Sequence, residues 1–364
     1  MDRRDFAKLS ALAMAWGSLP TFAQTVSSSE RPLGFAAVGL GRICDIFMRA
    51  CADQSAGARL TGLVTGHPDT KGQQYAEKYG VPKSGIYTYD TFDRIRDNKD
   101  VDFVYIGLPN NMHCEYTIRA AEAGKHVLCE KPMAISSAEC RRMIDACKKA
   151  NVKLMIAYRI QYEPMWNRVF QSVKAGEIGQ VQSFQGGFYG EMAAGEWRLT
   201  KKYGGGGSLM DLGIYPLNTI RHIVGEEPTD FTAVVSTLDK SGRFAEVDQS
   251  IEWTMKFPSG IIASCGSSYG ARGPNFVNIN GETGNYIVAP AFLYGSVHYS
   301  GNVKGQNVDE ENKGATTPSQ FTNEAKHFVN CIRNNKEPLS DGEEGLKDMV
   351  AIEAIYKAAG TPIA

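Results

Sequence analysis

The chain has 364 residues, enough for two domains with cores of their own. Its 39 Lys and Arg balance 40 Asp and Glu, which argues against nucleic acid or an anionic membrane surface as a partner. Eight cysteines include no CxxC pair and no Cys/His cluster at ligand spacing, so no metal is expected. Cys44, Cys51, Cys129, Cys140 and Cys147 fall inside apolar-periodic segments and read as buried free thiols rather than a disulfide framework.

In Arg3-Arg4-Asp5-Phe6-Ala7-Lys8, two arginines precede an apolar stretch that gives way to Thr21-Phe22-Ala23. That pattern reads as a twin-arginine signal over 1–23, of the kind that exports folded proteins. The apolar stretch, about 9–19, is far short of the roughly 20 residues that span a bilayer. The expectation is a mature protein in the periplasm, delivered by the twin-arginine export machinery, with no membrane attachment. Residues 24–32 read as a polar tether.

Short apolar runs at 33–38, 59–64, 101–106, 126–129 and 153–156 then alternate with helical patterns at 43–51, 69–79, 112–123 and 138–150. Strands alternating with helices predict parallel crossovers and a doubly wound sheet over 33–156. From 157 to 364 the texture changes. Strand-like runs at 181–189, 231–238, 250–257, 261–269 and 276–280 are joined by turn signals such as Pro258-Ser259-Gly260. Helical patterns lie near 207–224, 319–333 and 345–359. The second domain is predicted as α+β, with a large, mostly antiparallel sheet flanked by helices.

The first strand leads directly into Gly39-Leu40-Gly41-Arg42-Ile43-Cys44. This is the strand–turn–helix context of a dinucleotide fingerprint, and it marks 33–156 as a Rossmann domain. Gly39 permits the tight turn, Gly41 lets the backbone approach a pyrophosphate, and the helix start supplies amides. Cys44, another small residue, stands where a third glycine is usual. The second strand ends in Thr65-Gly66-His67, with no carboxylate before Asp69. An NAD site usually offers an acidic residue there. Thr65 as a donor, with Arg42, His67 and Lys71 facing a 2′-phosphate, favours NADP.

The fourth run closes on Cys129-Glu130-Lys131-Pro132. Ligands of open α/β sheets bind at the carboxyl ends of strands, which sets Lys131 near the nicotinamide. Pro132 fixes φ in the turn. In the second domain the run Gly204–Gly207 leads into a helix on which Asp211 and Tyr215 are spaced i, i+4 and share a face. Taken singly, Lys131 is an ordinary solvated lysine, Asp211 a first-turn carboxylate and Tyr215 a packed aromatic.

Taken together, these stretches resemble the glucose–fructose and aldose–aldose oxidoreductase branch of the Gfo/Idh/MocA oxidoreductase family. The motifs that carry the resemblance are Leu108-Pro109-Asn110-Asn111-Met112-His113, Cys129-Glu130-Lys131-Pro132-Met133, Tyr158-Arg159, Glu196-Trp197-Arg198-Leu199 and Asp211-Leu212-Gly213-Ile214-Tyr215. Many members of the wider family carry histidine where Tyr215 stands. The resemblance implies that Lys131 and Tyr215 form an acid/base pair, the phenol taking the anomeric proton of a sugar. A free phenol, with a pKa of about 10, is too weakly acidic to serve as a base near neutrality, and an adjacent ammonium stabilises a phenolate. By the same resemblance Asp211 binds a sugar hydroxyl or orients the site. The resemblance also implies that Leu108, Pro109, Asn110, His113, Glu130, Arg159, Trp197 and Arg198 line the cofactor, with Arg198 near a phosphate.

Tyr162, Tyr189 and Tyr269 fit a sugar-flanking wall or the core equally. The implied activity is oxidation of an aldose to its lactone and reduction of a second sugar to an alditol, on NADP that stays tightly bound. A conventional NADP-dependent aldose dehydrogenase is the alternative. A non-catalytic sugar sensor has no need of the Lys131/Tyr215 pair. A homodimer or homotetramer is implied by the resemblance alone.

Overall fold

The computed structural model describes residues 31–313 and 319–363; the predicted export signal and most of the tether lie outside the described residues. Strands β1 (Leu33–Val38), β2 (Ala58–Val64), β3 (Ile86–Tyr87), β4 (Phe103–Ile106), β5 (His126–Glu130) and β6 (Leu154–Ala157) form one sheet in the order 3-2-1-4-5-6. Every pairing in it is parallel. The apolar runs are continuous because both faces are covered. On one face α1 (Arg42–Ala50) packs Phe47 edge-on against Phe35 of β1. The other face receives α3 (Asn110–Glu122) and α4 (Ser137–Ala150), while α2 (Gln73–Tyr79) follows β2.

Strands β7 (Val181–Tyr189), β8 (Asp230–Ser236), β9 (Ser250–Lys256), β10 (Ile262–Ser268), β11 (Asn275–Gly281), β12 (Asn285–Val288), β13 (Ser296–Val303) and β14 (Gln306–Lys313) build the second sheet, in the order 14-13-12-11-7-10-9-8. Its pairings are antiparallel except β7 with β10. One face is covered by α5 (Pro164–Lys174) and α6 (Ile214–Val224). The opposite face is open, and Val234, Ile262 and Ile287 stand exposed on it. The strand registers put Tyr189, Gln185 and Glu252 on that same face.

The last two helices differ from the simple two-domain reading. Helix α7 (Ser319–Arg333) packs Phe328 edge-on against Phe103 of β4, so it covers the nucleotide-domain sheet. Helix α8 (Gly342–Ala358) packs beside α4, and Ser340 just before it accepts a hydrogen bond from Ile156 N at 2.7 Å. The chain therefore returns to the first domain after finishing the second. All eight cysteines are free and buried, and burial pushes the Cys114 and Cys331 thiols up to about 11. No helix among the described residues is long and apolar enough to cross a membrane.

Candidate active site

The nucleotide turn is built from what its glycines leave out. Gly39 has φ +85°, and a Cβ there would lie 2.8 Å from Leu108 Cδ2 and 2.9 Å from Gly107 O; only glycine fits both demands. A Cβ at Gly41 would meet no protein atom within 4 Å, so that position faces open space. Gly41 is the N-cap of α1 and has no side-chain cap, which leaves the first amides, those of Arg42 and Ile43 among them, free for an anion. Leu40 is buried beneath the turn. Cys44 is accommodated by Gly107, where a Cβ would approach Sγ to 2.6 Å. These features fit a pyrophosphate.

At the end of β2, Thr65 is buried and its Oγ1 accepts a hydrogen bond from His67 N at 3.2 Å, shaping the loop. Gly66 and His67 are exposed, and Lys71 lies half-buried in the following turn, Pro68–Gly72. Lys71 and the donors Thr65 and His67, with no carboxylate before Asp69, suit a 2′-phosphate.

Several residues assigned to the cofactor by resemblance turn inward instead. His113 is 1 % exposed, and its ring nitrogens lie 2.9 Å from Leu108 O and from Pro132 O. Burial lowers its pKa, so it stands as a neutral brace between the ends of β4 and β5. Asn110 donates to Gly204 O at 2.9 Å and ties the start of α3, just after Pro109, to the glycine run. Tyr162 is wholly buried, with its hydroxyl 3.0 Å from Ser340 Oγ; it belongs to the core. Tyr189 points to the open sheet face, where its hydroxyl bonds Glu252 Oε1 at 3.1 Å, because strand alternation sends only its neighbour Phe188 toward Tyr215. Neither tyrosine walls the site.

The centre of the site is Lys131, which directly follows β5 and is joined to Pro132 by a cis peptide bond. Its ammonium donates to Asp211 O at 2.8 Å and Asp211 Oδ1 at 3.1 Å, and lies 4.5 Å from the centroid of the Tyr215 ring. One lysine thus touches both residues of the helical pair. Asp211 occupies a wide turn, Leu209–Gly213, that runs into α6. Asp248 secures the start of this turn by accepting from Gly207 N at 2.8 Å and Ser208 Oγ at 2.9 Å. A Cβ on Gly207 would collide with Asp248, which explains the glycine.

Asp211 Oδ2 pairs with Arg198 Nε at 3.1 Å, and Tyr269 lies near this carboxylate. Arg198, expected near a phosphate, is therefore directed at Asp211 and stacks on Trp197 with 4.4 Å between guanidinium carbon and ring centroid. Burial opposes ionisation of Asp211, but Lys131 and Arg198 outweigh it and hold the carboxyl at about 2. Burial likewise disfavours the Lys131 ammonium, yet Tyr215, Asp211 and Glu130 raise its pKa. Glu130 accepts from Tyr105 Oη at 2.6 Å and Lys131 N at 3.2 Å, and burial raises its pKa.

The folded pKa of Asp211 is depressed below its ordinary 3.8, so its contribution to stability is complete above about pH 4 and disappears as pH falls toward 2. Asp211→Asn should flatten that loss by about 2 kcal/mol. Urea denaturation of both proteins between pH 5 and 2 reads the difference.

Tyr215 lies between two cations. Arg159 is 4.7 Å from its ring centroid on one contact, and Arg159 Nε donates to Tyr215 Oη at 3.1 Å. Phe188 and Phe292 pack against the ring at 5.5 and 5.4 Å. Arg159 Nη1 donates to Gln320 Oε1 and Nη2 to Phe292 O, each at 2.6 Å. Each nitrogen of Arg159 thus meets a protein group, and the arginine holds the phenol in place. Phe188, Phe292, Gln320 and Tyr294 are the site residues that sequence reading missed. Phe188 on β7 and Gln320 on α7 lie in elements that were read from their pattern, which says nothing of a site, while Phe292 and Tyr294 lie on the connection between β12 and β13, strands that were not read.

A parallel sheet with a glycine turn opening on its first helix, set against a lysine–tyrosine pair, defines a nicotinamide-dinucleotide oxidoreductase. Residues 33–158 match the oxidoreductase family with an NAD-binding Rossmann fold, and residues 166–287 match the GFO/IDH/MocA C-terminal domain. The crystal structure of aldose–aldose oxidoreductase from Caulobacter crescentus is 41% identical, covers 91% of this chain and 98% of its own, and superposes with a TM-score of 0.86. A D-xylose 1-dehydrogenase [NADP(+)] from Haloarcula marismortui is 29% identical over 350 residues, 93% of this chain and 94% of that protein. A 1,5-anhydro-D-fructose reductase from Ensifer adhaerens is 26% identical over 298 residues, 80% of this chain and 86% of that protein. The chain belongs to the Gfo/Idh/MocA oxidoreductase family.

Proposed function

We propose that the chain oxidises an aldose such as glucose to its aldonolactone and reduces a second sugar, aldose or fructose, to an alditol, with one NADP retained throughout. The observation that carries this reading is the contact of Lys131 with both Asp211 and Tyr215 at the carboxyl end of β5. The names of the similar proteins, an aldose–aldose oxidoreductase and an NADP-dependent xylose dehydrogenase, support sugars as substrates. Lys71 and the lack of a carboxylate before Asp69 at the end of β2 support NADP over NAD.

Gly39, Gly41 and the first amides of α1 would hold the pyrophosphate, and Thr65, His67 and Lys71 the 2′-phosphate. The cofactor supplies the hydride acceptor in one half-reaction and the donor in the other. Tyr215 Oη takes the proton of the sugar hydroxyl during oxidation and returns one to the carbonyl oxygen during reduction. Arg159, bonded to Oη, meets the charge that develops there. Asp211 anchors Lys131 against the ring, and Arg198 anchors Asp211.

The signal at 1–23 supports export in the folded state, and so a periplasmic enzyme that carries its cofactor with it. The open sheet face with Val234, Ile262 and Ile287 supports a homodimer or homotetramer. A conventional NADP-dependent aldose dehydrogenase is the second reading, favoured by the xylose dehydrogenase similarity. Nucleotide extracted from protein purified without additions separates the two: NADP near one equivalent supports retention, and none favours exchange at each turnover.

A further inference from the structure

Tyr294, on the connection between β12 and β13, lies between the two halves of the site. Its ring carries a guanidinium from each: Arg159 at 4.5 Å and Arg42 at 5.7 Å from the centroid. Arg42 is the first residue of α1, directly after the glycine turn, whereas Arg159 holds the hydroxyl of Tyr215. Phe321 of α7 packs against the same ring at 5.7 Å. The backbone of this loop is fixed as well. Gln320 Nε2 donates to Tyr294 O at 2.6 Å while Gln320 Oε1 accepts from Arg159 Nη1 at 2.6 Å. Arg159 also reaches Phe292 O in the same loop. A single glutamine therefore ties the loop to the arginine that orients the catalytic phenol.

We propose that Tyr294 is a positioning residue that latches the crevice: its ring joins Arg42 of the dinucleotide turn to Arg159 of the catalytic cluster, so the loop it stands on governs cofactor release and the setting of Tyr215. The physical basis is the attraction of a guanidinium to an aromatic face, which strengthens as the pair leaves water. Burial raises the pKa of the Tyr294 phenol, so this neutral ring is a neighbour that does not compete with Tyr215 for the proton. The inference rests on the preceding reading in taking NADP as the bound nucleotide and, for its effect on turnover, Tyr215 as the catalytic phenol.

Release of NADPH, followed by its fluorescence after a chase with excess NADP and with no sugar present, tests the latch. Tyr294→Leu should release NADPH about tenfold faster than the wild type. Tyr294→Phe, which keeps the ring, should bring the rate back to within about threefold. In turnover, Tyr294→Leu should lower kcat while KM for the sugar moves by less than about threefold, because Tyr215 loses its setting and the sugar contacts stay. Arg42→Met should speed release in the wild type and add little in Tyr294→Leu, since the two act through one contact. An unchanged release rate in Tyr294→Leu overturns the proposal, and so does a Phe variant as fast as the Leu variant. Independent, fully additive effects of Arg42→Met and Tyr294→Leu overturn it too. Accelerated release in a protein that oxidises no aldose would sink the proposed function and uphold the latch.

Discussion

Tyr215→Phe is expected to lower kcat for aldose oxidation by about 10³-fold, within the range that general acid–base catalysis contributes, and to leave the affinity for NADPH within a few-fold of the wild type. The substitution removes one oxygen and keeps the ring that Phe188 and Phe292 pack against and that Lys131 and Arg159 flank. It touches none of the residues around the Gly39–Gly41 turn. Both half-reactions should fail together, because the same hydroxyl accepts the proton in one and returns it in the other. Steady-state kinetics paired with a nucleotide titration measure this. Retention of even one half-reaction at wild-type rate would show that another group moves the proton.

Lys131→Met carries the second large effect, and here catalysis and stability change together. The lysine side chain is 10% exposed and Asp211 17%, so the substitution leaves Asp211 in a largely buried position with one cation fewer. Stranding one partner of a buried pair costs roughly 3–5 kcal/mol. Arg198 remains paired with the carboxylate, which places the expected loss near the lower end, about 3 kcal/mol. The fall in kcat should be about 10²-fold or more, since the phenol loses the cation at its face. Adding Asp211→Asn should recover part of the stability, because no charge is then left stranded, without recovering kcat. Urea denaturation and kinetics on the single and double variants separate the two effects; a single variant as stable as the wild type would mean the pair is far more solvated than its burial indicates.

Much of the fold was legible because both periodicities are strong where the core is. The first sheet announces itself in Phe35-Ala36-Ala37-Val38 and Phe103-Val104-Tyr105-Ile106, runs buried on both faces that need no alternation. Helix α7 shows the limit. Its amphipathic pattern over 319–333 is plain in the sequence, yet nothing in that pattern says which domain its apolar side will meet. Strand β14, Gln306-Asn307-Val308-Asp309-Glu310-Glu311-Asn312-Lys313, sits at the sheet edge and has almost no apolar face to read. Because it and β13 went unrecognised, Tyr294 had no place in the sequence reading.

The site divides along a similar line. Strand-end position and i, i+4 spacing drew attention to Lys131, Asp211 and Tyr215, the family resemblance supplied their role, and the structure sets Lys131 against both of the others. The role of Arg159 could not be read, since its partners Gln320 and Phe292 are 161 and 133 residues away in the chain. His113 and Asn110 carry a resemblance-based role at the cofactor, whereas burial and their hydrogen bonds make them braces of the surrounding loops. Tyr162 and Tyr189 fall on the wrong sides of their elements, which aromatic identity alone does not reveal.

The most direct test of the account is product analysis on protein purified without added nucleotide and supplied with glucose and fructose. The account predicts gluconolactone, or the gluconate it hydrolyses to, and an alditol formed in equal amounts and over many turnovers. Turnover that begins only when free NADP is added, with reduced nucleotide accumulating and no alditol formed, would contradict it.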